Sequence, residues 1–205
     1  MAKIRIKNQW FHSETAKTPQ QTASAMAFIT WRVSQNTLKQ MRSAQFDIAI
    51  GAQFFAFTRE VLVFLLQIQD RMAHERMDEQ ERAEFVSALV RRVAEILQDN
   101  EDTLMGAPAA GAASHFDTFI DLFNELADHY AEFGFDASGP DFAFVRYLGH
   151  RIEAHMPQKD KHWVVEQIMA AEVPEALEMI KRGMEGVLST EPRKPRRSHA
   201  ASTAD

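Results

Sequence analysis

Asp70 and His74, and again Glu125 and His129, are carboxylate-x-x-x-His pairs. That spacing sets both side chains on one face of a helix. Two such helices side by side, with Glu60 as a further carboxylate, would assemble a metal or small-ligand seam from Glu60, Asp70, His74, Glu125 and His129. Helical carboxylate metal sites, however, use Glu-x-x-His, and no histidine here has an acidic residue three positions before it. There is no HExxH either. Both pairs also fall on the polar sides of their segments, the ordinary place for solvated side chains.

A second cluster runs from Arg146 to His155, followed by His162. His150 and Glu153 are neighbours at i,i+3, and Arg151 and His155 at i,i+4, so an acid–base pair or an anion site is conceivable. Amphipathic helices carry charged faces of this kind routinely. Other chemistries lack their groups. The chain has no cysteine, which removes disulfides, thiolate metal sites and thiol nucleophiles. It has no GxSxG elbow and no GxGxxG fingerprint. Gly106 and Gly111 have the glycine spacing of a phosphate-binding loop, but Ala112 and Ala113 stand where Lys and Ser or Thr are required.

The elements that would position these groups read as helices. Within 46–77, Phe54, Phe57, Val61, Phe64, Leu65, Ile68 and Met72 follow three-and-four spacing, and Phe55, Leu62 and Leu66 add a second apolar strip. A helix apolar on so much of its circumference is covered from several sides. Arg59 and Glu60 interrupt it, so it is too short of unbroken apolar sequence to cross a membrane. Its polar residues, Glu60, Gln67, Arg71 and His74, form a narrow stripe. The simplest expectation for that stripe is a solvent edge with an Arg71–Glu75 pair; the alternative is a polar seam against another helix.

The first helix is expected to open with Thr18 as N-cap, Pro19 at N1 and Gln21 at N3, a capping box. It carries Met26, Ile29 and Val33 on one face, loses the pattern near 34–37, and ends before Phe46. Asp78 caps a third helix whose buried face is Phe85, Leu89, Val93 and Ile96. Ser114 starts a fourth with Phe116, Phe119, Ile120, Phe123, Leu126, Ala127, Tyr130 and Phe133 on its apolar face. Pro140 is placed at N1 of a fifth, with Phe142, Val145, Leu148, Ile152 and Met156 inward. A short helix is expected around Trp163, Val164 and Ile168, and Pro174 is expected to open a last one with Leu177, Ile180 and Met184. The sum is an all-α protein, an irregular bundle of about seven helices around a buried central helix at 46–77. Residues 1–17 read as an extended arm with Trp10 and Phe11 against the bundle, 18–188 as a single domain, and 189–205 as a disordered basic tail.

Charge is the remaining signal. The formal net charge is -6, yet from Val93 to Val145 there is no Lys or Arg at all. Along the fourth helix, Asp117, Asp121, Glu125, Asp128 and Glu132 make an acidic ridge opposite the apolar face, while basic residues concentrate before the central helix and in the tail. An acidic chain of this kind is a poor platform for nucleic acid. The N-terminus has no apolar segment after its basic residues, so the cytoplasm is the expected compartment. The expected function is therefore non-catalytic and cofactor-free. The chain would act through protein–protein contacts as an assembly factor, adaptor or regulatory subunit, with a basic protein partner or a second copy meeting the ridge. The alternative is a bundle, an enzyme included, that binds a metal or small ligand between the central and fourth helices.

Overall fold

The computed structural model describes residues 18–188. The expected arm at 1–17, with Trp10 and Phe11, and the expected tail at 189–205 lie outside them. The described residues are mostly helical, with one minimal hairpin: α1 (Pro19–Ser43), α2 (Ala52–His74), α3 (Glu79–Met105), α4 (His115–Ala131), β1 (Phe135–Asp136), β2 (Gly139–Pro140), α5 (Phe142–Glu153), α6 (Lys161–Gln167) and α7 (Val173–Leu188). A π turn, Ile168–Glu172, joins α6 to α7 without a break. No helix among them is long and apolar enough to cross a membrane.

The core is built on α2, which packs against α1, α3, α4, α5 and α7. Phe55, Phe57, Leu62, Val63, Phe64, Leu65, Leu66 and Ile68 are all buried, as a helix apolar around most of its circumference requires. It is shorter than the apolar pattern suggests. Phe46, Ile48 and Ile50 continue the spacing upstream, but Gln45 and Gly51 have φ of 68° and 110°, and the chain turns there. Arg42 secures this turn by donating through Nε and Nη2 to the Ile48 carbonyl at 3.2 and 2.8 Å.

The caps follow the sequence at three of the helix starts. Thr18 forms the full capping box with Gln21, Asp78 accepts from the Glu81 amide, and Ser114 accepts from the Asp117 amide. The polar stretch of α1 does not interrupt the helix, because its hydroxyls bond back along it. Thr30 donates to the Met26 carbonyl and Ser34 to that of Trp31, both at 2.8 Å. Gln69 then ties α2 to α1 inside the core, donating to Thr30 Oγ1 at 2.9 Å.

Three expectations are corrected. Pro140 does not open α5: it lies in β2, paired with Phe135, and Asp141 is the N-cap. The Asp141 carboxylate accepts from the Phe144 amide at 2.7 Å and from the Gly134 amide at 2.8 Å, closing the hairpin onto the helix. Starting the helix there turns Phe142 outward, 66% exposed over Arg146, and puts Phe144 in the core instead. The short helix expected around Trp163, Val164 and Ile168 is present as α6, with Trp163 66% exposed and Val164 and Ile168 buried. Pro174, finally, follows no break. Proline lacks an N–H and its ring collides with the carbonyl four residues back, and the chain accommodates it by widening one turn. The Val173 amide bonds to the Ile168 carbonyl, five residues earlier.

Candidate functional site

The acidic ridge lies where the sequence places it. Phe119, Leu126 and Tyr130 anchor α4 to α2 and α3, and this leaves Asp117, Asp121, Glu125, Asp128 and Glu132 on the outer face, all exposed. Asp117 accepts from the Ser114 hydroxyl at 2.7 Å as part of the cap. Among the described residues none of the five makes an ion pair. Exposed acids elsewhere divide: Glu75, Glu84 and Glu185 make no ion pair among the described residues either, while other surface acids do find cations. Glu95 has Arg92 at 2.7 Å, Glu178 has Arg182 at 3.0 Å, and Asp47 has Lys159 at 2.9 Å. The ridge is set apart from them by having acidic neighbours along its length and no Lys or Arg on its own helix.

The five residues of the expected ligand seam are not brought together. Asp70 is gripped by Arg82, whose Nε and Nη2 each donate to one carboxylate oxygen at 2.7 Å. His74 lies beside the same guanidinium. Glu125 faces outward, and the His129 ring packs on Tyr147 with centroids 5.9 Å apart. No group of three or more His, Asp or Glu among the described residues has the geometry to hold a metal ion.

Glu60 is the surprise of the polar stripe. With Gln67 it is buried and Arg71 is half-buried, so most of the stripe is a seam and only its His74 end is exposed. Arg151 meets the Glu60 carboxylate in a fork, Nε to Oε2 at 3.0 Å and Nη2 to Oε1 at 2.7 Å, and His155 Nε2 stands 3.3 Å from Oε1. Arg151 and His155, which the sequence offered as an acid–base or anion cluster, meet the chain's own Glu60 carboxylate. Burial alone pushes this carboxyl up, but the hydrogen bonds from His155 and Arg151 outweigh it and hold the group below its ordinary value. Farther along the seam, Arg71 donates to the Tyr130 carbonyl at 3.2 Å. The Tyr130 ring is enclosed by Phe64, Phe133, Phe144 and Tyr147. Its hydroxyl has no hydrogen-bond partner, and burial pushes its pKa well above the usual value for tyrosine.

The preceding residue on α2 builds a matching cluster on another side of the helix. Arg59 Nη2 lies 2.6 Å from Oε1 of the fully buried Glu101, and His115 Nδ1 lies 3.1 Å from Oε2. Here desolvation wins over the opposing pull of Arg59 and His115, and the Glu101 carboxyl is raised. Adjacent residues on a helix point about 100° apart, so Arg59 and Glu60 tie α2 to α3–α4 on one side and to α5 on the other. His150 takes the outer role: Arg146 Nε donates to its Nε2 at 3.1 Å, which places the ring proton on Nδ1, facing Glu153 Oε2 at 3.1 Å.

Sequence reasoning missed Glu101 and Glu172, the other two carboxylates buried among the described residues. The signal was present. Glu101 continues the buried series Phe85, Leu89, Val93, Leu97 at the next four-residue step, and Glu172 stands between Ile168 and Ala176 in the same way. An open groove of about 560 Å³ lies at the end of the bundle where α1 begins and α7 ends, lined by Pro19, Thr22, Arg76, Met77, Glu81, Glu185 and Leu188. Compared with known protein families, with curated proteins and with solved structures, the chain has no match.

Proposed function

We propose that this protein works without catalysis, through protein–protein contact, as an assembly factor, adaptor or regulatory subunit whose outer α4 face meets a basic partner. One observation carries the reading: Asp117, Asp121, Glu125, Asp128 and Glu132 are all exposed on one helix, with no cation paired to any of them among the described residues. Acids at i,i+3 and i,i+4 spacing repel one another by a few tenths of a kcal/mol per pair, so the ridge costs some stability in the free protein. A basic surface would relieve that repulsion and be steered by it. The half-buried Phe116, Leu122 and Phe123 beside the ridge would add apolar contact at the rim.

The test compares wild type with an Asp121→Asn, Glu125→Gln, Asp128→Asn variant. Untagged protein is purified from its own source and its complexes are weighed by native mass spectrometry and sedimentation, at low and at physiological salt. The wild type is expected to carry a basic protein, or a second copy, more strongly at low salt, where the attraction persists over a Debye length of about 30 Å at 0.01 M. The variant should lose it without losing helicity. Identical assembly of both proteins at low salt overturns the reading.

A further inference from the structure

Three glutamates are buried among the described residues, and they are not provided for alike. Glu60 has Arg151 and His155; Glu101 has Arg59 and His115. Glu172 is 2% exposed, yet no ion pair reaches it. Its Oε1 accepts from Gln167 Nε2 at 2.9 Å, and its Oε2 has no partner. The small cavity that Glu172 borders is otherwise lined by apolar or neutral side chains. Val61, Phe64 and Leu65 come from α2, Leu148 from α5, and Thr37 from α1. The charge that acts on it is Glu175 on α7, of the same sign and itself held by Asn36 and Gln40 of α1 at 3.1 and 2.7 Å. Glu172 also closes the π turn, the one place where the helix from α6 to α7 is wound loosely, and it borders a cavity of about 10 Å³. A bare carboxylate in such a setting costs several kcal/mol, and a buried acid avoids the cost by keeping its proton.

We propose that Glu172 is a proton-binding site set into the joint between α6 and α7: the neutral carboxyl holds the π turn packed, and loss of its proton opens the turn. The chemistry is balanced by solvent, since water or buffer accepts the proton and no other bond changes. Burial, with Glu175 nearby, raises this carboxyl above its ordinary value, in accord with that arrangement. The joint lies against α1, so its opening would shift the packing of α7 along α1 and not the caps or the hairpin.

The sign follows from linkage. A carboxyl whose folded value is raised contributes stability that is complete below its unfolded value of 4.5 and is lost as the pH rises through the folded value. In the intact chain, the assigned side-chain carboxyl carbon of Glu172 should titrate above 4.5 by nuclear magnetic resonance. The amide protection of Val173, which bonds across the π turn, should fall over the same interval. Glu172→Gln mimics the neutral acid and keeps the bond from Gln167, so its Val173 protection should not change with pH over that range. Glu172→Leu supplies a second neutral side chain, and both variants should melt at or above the wild-type temperature at pH 8. A wild-type carboxyl titrating at or below 4.5 overturns the proposal without reference to any variant. So does Val173 protection that falls equally in wild type and Glu172→Gln.

Discussion

Removing the charge of Glu60 tests how much of the bundle depends on its internal ion pairs. In Glu60→Gln the fork from Arg151 loses its anionic acceptor while the guanidinium stays charged. Breaking a buried pair from one side costs about 3–5 kcal/mol when the remaining charge is fully enclosed. The Arg151 side chain is 30% exposed and can recover part of its hydration, and the glutamine oxygen can still accept one bond. A loss of about 2 kcal/mol is therefore expected at pH 7. For a chain of this size that is about 4–8 °C in melting temperature. Urea denaturation at a series of pH values is the assay. The Glu60 carboxyl is held below its ordinary 4.5, so its stabilisation is present above that value and is lost as the pH falls through the folded one. The gap between wild type and variant should accordingly shrink in acid. A double variant, Glu60→Leu with Arg151→Met, should recover part of the loss, because it leaves neither the carboxylate nor the guanidinium without the other. A single variant within about 0.5 kcal/mol of wild type at pH 7, or a gap that does not narrow in acid, would refute the reasoning.

Phe142 and Phe144, two residues apart, should behave oppositely. Phe144→Ala empties a fully buried site packed by Phe64 and Tyr130 and is expected to cost about 3–5 kcal/mol. Phe142→Ala, which forfeits only an exposed contact with Arg146, should stay within about 0.5–1 kcal/mol of wild type by the same denaturation measurement. Gly149 lets α5 pack closely on α6: a Cβ there would lie 3.0 Å from Val165 Cγ1 and 3.4 Å from its Cα. Gly149→Val should cost about 1–3 kcal/mol through overpacking. Gly149→Ala should cost less, since its better helix propensity offsets part of the contact.

How far these features could be read in the sequence depends on the kind of physics that sets them. Thr18, Asp78 and Ser114 were legible because a cap is a contact between residues three apart, settled locally. The burial of α2 was legible because its apolar residues outnumber those one face can hold. Pro140 misled because proline suits both a helix start and a turn, and the choice went to Asp141, which caps the helix and closes the hairpin together. Phe46, Ile48 and Ile50 misled because periodicity cannot register a residue such as Gly51 at φ 110°. The ridge on α4 was legible as a face. Whether it meets a partner is not a property of spacing.

The polar stripe of α2 shows where reading by pattern fails for a physical reason. Polar residues on an amphipathic helix are assigned to water because a buried charge alone is prohibitively costly. That inference holds for one helix and fails once a second supplies the counter-charge. Glu60 is tolerated because Arg151 and His155 come to it from more than ninety positions away, and Glu101 because Arg59 and His115 meet it. No short window along the chain holds Glu60 together with its cations, or Glu101 together with Arg59. The useful sign is instead an acid that interrupts an apolar stripe at the proper step, as Glu101 does after Leu97 and Glu172 does after Ile168. Such an acid must find a cation or keep its proton. The two outcomes have opposite signatures, for Glu60 is stabilising until the pH falls and Glu172 until it rises. Glu101, paired and yet raised, falls between them.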